Sequence, residues 1–285
     1  MGRAPATERA YASDWADFAA WCTARGARSL PASPATVAAY VDEAAERLRV
    51  ATVRRRVAAV RARHLDGALT PPTATAPVQA AVARAEWRLR HDCRGTTPLG
   101  IEELRAVSSA LPESIAGLRD RALLLLGYGG GLTPGELAAL TFDDIRLVPA
   151  GIAVRTSRGR ATVPFGSDVW LCSVRAWKAW CRAAGLRDGP ALRPVDRHGR
   201  VQARGLGVRG VTRVVQRSVA RAGLDATRYS GRSLRRGMVL AATEHGVSEG
   251  RIMAHTGHRS RRLVRRYMAE TRDPGSASGR RARVT

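Results

Sequence analysis

Residues 230–268, SGRSLRRGMVLAATEHGVSEGRIMAHTGHRSRRLVRRYM, hold the side chains with the clearest chemical capacity. Arg232 and Arg235 lie one helical turn apart, Gly257 and His258 follow, and Tyr267 stands on a basic segment nine positions after the histidine. A guanidinium grips a phosphate through a fork of N–H donors, an imidazole moves a proton or shares a hydrogen bond, and a tyrosine oxygen can attack phosphorus. Together they point to phosphoryl transfer through a protein–tyrosine link. Tyrosine ordinarily titrates near pH ~10, so such an attack needs a general base or a cationic surround.

The charge of the chain agrees with an anionic partner. Over 285 residues, Lys+Arg reaches 48 against 24 Asp+Glu, a net charge of +24 spread through every segment. A field of that sign attracts polyanions, above all nucleic acid, although an arginine-rich composition also accompanies a GC-rich genome. Lys178 is the only lysine, so the basic residues are otherwise arginines. Cys22, Cys93, Cys172 and Cys181 are far apart and contain no C-x-x-C pair, which indicates neither a zinc site nor a disulfide framework. No carboxylate cluster suited to metal ions is evident, and no cofactor or metal is expected. The longest apolar run, residues 122–126, is too short to cross a bilayer, and no signal-peptide core precedes it. The expectation is a cytoplasmic protein associated with the nucleoid and not with a membrane.

The elements that must position these groups are mostly helices. Tyr11, Trp15, Phe18 and Cys22 recur at helical spacing before Gly26, and Ser33-Pro34 is an N-cap with proline at the first turn of a second helix. A third helix from about Thr52 alternates Val53, Val57 and Val60 with Arg54, Arg55, Arg56, Arg61 and Arg63, placing a basic face outside for DNA phosphates or for solvent. A fourth spans about 76–90, so residues 1–90 form a helical DNA-binding module and 91–98 a linker. Helices are expected over 99–111 and 117–128. Thr133-Pro134-Gly135-Glu136 is a capping box. Segments 151–156 and 160–163 flank a Ser-Arg-Gly turn and read as a β-hairpin carrying Arg158 and Arg160. Helices resume over 168–184, where Trp170, Val174, Trp177 and Trp180 make a core stripe, and over about 210–222, 234–245, 248–254 and 260–270. A basic Gly/Ser/Arg tail covers 272–285. The fold class is mainly α with a small β element, in two domains, 1–90 and 99–271.

Arg232-Ser233-Leu234-Arg235, then Thr256-Gly257-His258-Arg259-Ser260, then Tyr267 resemble the catalytic domain of the tyrosine recombinases, the phage integrase family. GYGGGLTPGELAALTFDDI upstream is similar to the family's first arginine box, ALRPVDRHGRV to a recurrent integrase loop, and residues 7–90 to its core-binding domain. The resemblance implies a two-domain clamp around duplex DNA, a dimer on each site and a tetrameric synapse. It implies a 3′-phosphotyrosyl intermediate that releases a 5′-hydroxyl and needs neither metal nor ATP. By position it makes Tyr267 the nucleophile, Arg235 the second clamp arginine and His258 the donor to the scissile phosphate.

Three positions depart from the pattern. Thr133 stands where the first clamp arginine is expected, Arg232 where the H-x-x-R box opens with histidine, and Arg158 where the catalytic lysine is expected. A threonine cannot supply a bidentate cation, and an arginine does not release a proton. Two readings follow: Arg232 moves into the space left by Thr133 while Arg158 supports the leaving group, or the chain is an impaired homologue that binds DNA in a regulatory role. A type IB topoisomerase shares the chemistry without synapsis, and the core-binding domain argues against it.

Overall fold

Residues 5–90, 96–166, 168–258 and 260–272 are described by a computed structural model, in two units, Met1–Arg94 and Gly95–Thr285. The first unit holds four helices, α1 (Pro5–Thr23), α2 (Pro34–Arg47), α3 (Val50–Asp66) and α4 (Ala76–Arg90). Ser33 caps α2 as its sequence indicates, its hydroxyl accepting from the Thr36 N–H at 3.1 Å with Pro34 at the first turn. Phe18, Cys22, Val37, Tyr40, Val41, Val53, Val60, Val78 and Ala85 meet in one apolar core.

The basic face of α3 differs from the solvated stripe that its spacing suggests. Arg55 forks onto Asp14 at 2.6 and 3.0 Å, and Asp14 is only 4% exposed. Arg56 turns inward to Asp17 and donates to the Tyr40 hydroxyl at 2.8 Å. Arg54 reaches Glu86 on α4 at 2.7 Å. The seams between α3 and its neighbours carry these carboxylates, so only three-dimensional packing shows which arginines are engaged. Arg61 stays exposed.

The second unit is built around α6 (Ile115–Gly129), whose residues Ala122, Leu123, Leu124, Leu125 and Leu126 are all buried. Burial of each such leucine is worth roughly 1.5–3 kcal/mol, enough to make this helix the axis on which its neighbours pack. Those neighbours are α5 (Ile101–Ser109), α7 (Pro134–Ala139), α8 (Ser173–Ala184), α9 (Val208–Arg221) and α10 (Gly231–Glu244), followed by α11 (Glu249–Thr256) and α12 (Arg261–Arg272). The hairpin is present as β2 (Gly151–Thr156) and β3 (Gly159–Pro164), and a third strand, β1 (Ile145–Val148), pairs antiparallel with β2. That strand escapes a sequence reading because it is four residues long and half exposed, without a clean alternation. Helix α8 starts at Ser173, not 168; Trp177 and Trp180 are buried in the core, whereas Trp170 precedes the helix and lies under the Arg121 guanidinium.

Residues 91–95 of the segment read as a linker, and 273–285 of the tail, lie outside the described residues. Residues 96–99 are tied to α10 and to the turn before it: Thr97 N–H donates to Arg228 O at 2.7 Å, Leu99 N–H to Ser233 O at 3.0 Å, and Arg236 to Thr96 O. Gly237 permits this approach, because a Cβ there would lie 1.8 Å from Leu99 O and 3.0 Å from the Tyr128 ring. Gly237→Ala is therefore expected to destabilise the second unit by about 1–3 kcal/mol through overpacking, a fall of about 2–12 °C in its Tm. An unchanged melting curve would show that this contact does not hold α10.

Candidate active site

Helix α10 presents Arg235 to the interior because Gly231 seats its first turn against α7; a Cβ on Gly231 would come within 2.7 Å of Pro134. Arg235 is 6% exposed. Its Nη1 donates to the carbonyls of Gly131 and Thr256, each at 2.6 Å, and its Nε donates to His258 Nε2 at 3.2 Å. The remaining nitrogen, Nη2, is buried without a hydrogen-bond partner among the described residues. A buried donor of that kind is costly unless something accepts from it, and an anionic oxygen is the natural acceptor.

Gly257 ends α11 in the left-handed conformation, φ +64°, and turns His258 back onto Arg235. The Thr256 hydroxyl donates to Ile252 O at 2.7 Å and so accepts from His258 Nδ1 at 2.6 Å. That arrangement leaves the Nε2 lone pair facing Arg235, the neutral tautomer. Burial first, then the charges of Arg235 and Arg158, push the His258 pKa down to about 4. Arg235 is itself lowered to about 10 by burial and by Arg158, so it stays charged at neutral pH.

Tyr267 arrives on α12, half-buried, with its ring 6.1 Å from the His258 ring and nearly edge-on at 70°. The Arg236 guanidinium lies over the same ring at 5.3 Å from its centre, a cation–π contact of the kind that holds an aromatic plane in place. Behind it, Val239, Ile252 and Val264 form a small core that fixes α12 on α10 and α11. The tyrosine is thus brought to the histidine and the buried arginine from the same chain.

The positions that depart from the family pattern fall differently. Thr133 caps α7, its hydroxyl accepting from the Glu136 N–H at 3.3 Å and donating to Glu136 Oε2 at 2.8 Å. Arg158 reaches this same corner from the hairpin turn, its Nε 2.6 Å from Glu136 Oε1 and its Nη2 3.4 Å from Thr133 Oγ1. Burial acts against the Glu136 charge, but the hydrogen bonds from Arg158 and Thr133 outweigh it and hold the carboxyl below its ordinary range. Arg232 points to solvent and makes no ion pair with a described residue. It is Arg158, not Arg232, that stands beside Thr133. Arg160 is exposed on β3 opposite Arg155. His255, close in sequence to His258, faces away and bonds Gly129 O at 2.8 Å.

Two participants escape the sequence reading. Glu136 carries only a capping signal, yet it anchors Arg158; Arg236 is adjacent to Arg235 but nothing in its spacing reveals that it covers Tyr267. The Gly131 and Thr256 carbonyls give no sequence signal at all, because every residue has one.

Residues 99–273 match the model of the phage integrase family. An integrase/recombinase xerD homolog from Selenomonas ruminantium is 31% identical over 281 residues, covering 94% of this chain and 82% of that protein. A tyrosine recombinase XerC from Xanthomonas campestris pv. campestris is 28% identical over 193 residues, 62% of this chain and 53% of its own. In fold, the chain is similar to a lambda integrase dimer bound to a COC′ core site, with TM-score 0.61, 19% identity, and 94% and 90% of the two chains covered. It is also similar to the Tn1549 transposon integrase in complex with transposon right end DNA, with TM-score 0.59, 14% identity, and 82% and 80% covered. A family match over more than half of the chain, joined by a relative alike along nearly all of it, gives the assignment: the chain belongs to the phage integrase family, the tyrosine recombinases.

Proposed function

We propose that the chain performs site-specific recombination of duplex DNA by cleaving and rejoining it through a covalent bond between Tyr267 and a 3′-phosphate. The observation that carries this reading is the buried Nη2 of Arg235, which has no hydrogen-bond partner among the described residues, set beside His258 and Tyr267. A phosphodiester placed there satisfies that nitrogen and draws the Arg235 fork away from His258. The freed Nε2 takes the Tyr267 proton as the tyrosine oxygen bonds to phosphorus; the imidazolium then donates to a nonbridging oxygen. The anion also offsets the burial and the two arginines that keep His258 neutral beforehand. The P–O5′ bond breaks, and a 5′-hydroxyl of the other duplex later reverses the step. Phosphoryl storage on tyrosine conserves the bond energy, so the exchange needs no ATP. A two-domain clamp on DNA, a dimer per site and a tetrameric synapse follow from the same reading, in a nucleoid-associated protein. The alternative, a recombinase homologue that binds DNA in a regulatory role without cleaving it, is favoured by Thr133, which supplies no guanidinium.

Covalent trapping on a nicked duplex from the flanks of the encoding element separates the two. A protein–DNA adduct is expected from the wild type and none from Tyr267→Phe, with noncovalent binding equal; DNA binding with no wild-type adduct would leave the regulatory reading.

The exposed Arg61 and Arg160 are the proposed backbone contacts that are free to neutralise phosphates. Arg54 and Arg55 must first be drawn from their carboxylates, and Arg56 is spent on Asp17 and Tyr40. Each phosphate contact contributes about 0.9 to the salt slope of log K. Arg61→Ala with Arg160→Ala is accordingly expected to flatten that slope by about 1.8, and an unchanged slope removes both from the interface.

His258 also links stability to pH. With a folded pKa of about 4 against an ordinary 6.5, the unfolded chain binds a proton in that window that the folded unit refuses. Its contribution is present above pH 6.5 and is lost as pH falls toward 4. Melting curves over this range should show a shallower acid decline for His258→Gln than for the wild type; parallel declines would assign the acid sensitivity elsewhere.

A further inference from the structure

Arg158 sits between two parts of the site. Its guanidinium is held by both oxygens of Glu136 and lies 3.4 Å from the Thr133 hydroxyl. Its Cβ would be 2.9 Å from a Cβ on Gly257, the residue before His258. The side chain is 26% exposed and its carboxylate anchor 9%. With Nε and Nη2 engaged, Nη1 has no hydrogen-bond partner among the described residues. The corner opens on a cleft of about 510 Å³ lined by Thr133, Gly135, Glu136, Thr156 and Ser157. We infer that Arg158 supplies the second guanidinium to the nonbridging oxygens of the scissile phosphate, in place of the side chain missing at Thr133, and does not protonate the leaving 5′-oxygen.

The chemistry of the group and its location both support this. An arginine holds its proton too tightly to give it to an alkoxide, but the Nη1 donors that Glu136 leaves open bring its charge to a phosphate oxygen. Glu136 fixes the direction of the fork before substrate arrives, so its orientation is set in advance. Thr133 cannot compete for the role, since its hydroxyl is committed to Glu136. The sole lysine, Lys178 on α8, lines a separate cleft with Trp177 of the same helix and with Phe142, and brings no ammonium to the leaving oxygen. When the tyrosine oxygen bonds to phosphorus, the electron pair of the broken P–O5′ bond therefore goes to an oxygen that takes its proton from water.

The inference rests on the recombinase reading above, and the test uses the full chain on nicked duplexes in three forms: the ordinary phosphodiester, a methylphosphonate lacking one nonbridging charge, and a 5′-bridging phosphorothiolate whose sulfur leaves without a proton. Arg158→Ala is expected to cleave the ordinary duplex about 10²–10³-fold more slowly than the wild type. On the methylphosphonate it should come within about 10-fold of the wild type, because the charge that needs the missing cation is gone. Recovery on the phosphorothiolate, or on neither analogue, overturns the inference. Because Arg158→Ala strips Glu136 of its partner, Thr133→Arg with Arg158→Ala provides a second variant in which a new guanidinium reaches the same carboxylate. That variant should regain cleavage of the ordinary duplex; remaining as slow as Arg158→Ala while binding DNA like the wild type also overturns it. A wild type that forms no adduct on any duplex removes the recombinase reading itself, and this inference with it.

Discussion

The second unit depends on keeping one guanidinium charged inside protein. Arg235 is almost wholly buried, and removing a cation from water is expensive unless hydrogen bonds replace its hydration. Three acceptors do so, the Gly131 carbonyl before α7, the Thr256 carbonyl at the end of α11, and His258 Nε2. They belong to two stretches of chain, Gly131 before α7 and Thr256 to His258 at the end of α11, so satisfying one charge fixes both stretches against α10. The two N–H donors of Nη2 have no acceptor among the described residues, and the proposed phosphate contact rests on them. The same constraint explains why His258 is neutral and why the Arg235 pKa is depressed, since both feel burial and a neighbouring cation.

Carboxylates decide what the abundant arginines are free to do. Glu136 turns Arg158 toward the corner of α7; Asp14, Asp17 and Glu86 take Arg55, Arg56 and Arg54 into the seams of the first unit. The count of 48 basic residues overstates the number of cations available to a polyanion, because carboxylates already match many of them. It is the unmatched ones, with the half-matched Arg158, that carry information about function.

Much of the fold was legible because local rules are strong where they apply. Ser33-Pro34 and Thr133-Pro134-Gly135-Glu136 start helices by capping chemistry, the leucine run of α6 announces a buried helix, and the Ser-Arg-Gly turn between two β-branched segments announces β2 and β3. The errors occur where local signals are weak. Strand β1 is too short and too exposed to alternate clearly, and Trp170 continues the aromatic spacing of α8 while standing before its first turn. At the site, the types and order of Arg235, His258 and Tyr267 were readable, because rare combinations of side chains at fixed spacing survive as sequence.

The sequence by itself determined the family resemblance, the mainly helical class with a small sheet, the cationic character, and the absence of an arginine at Thr133. Tertiary structure alone decided which arginine approaches that position. Arg232 is close to Arg235 along the chain but faces solvent, whereas Arg158, distant in sequence, is brought to Thr133 by the hairpin and oriented by Glu136. The physical reason is that a guanidinium goes where a carboxylate and a packing surface fix it, and neither the Glu136 carboxylate nor the Gly257 surface is its neighbour in sequence.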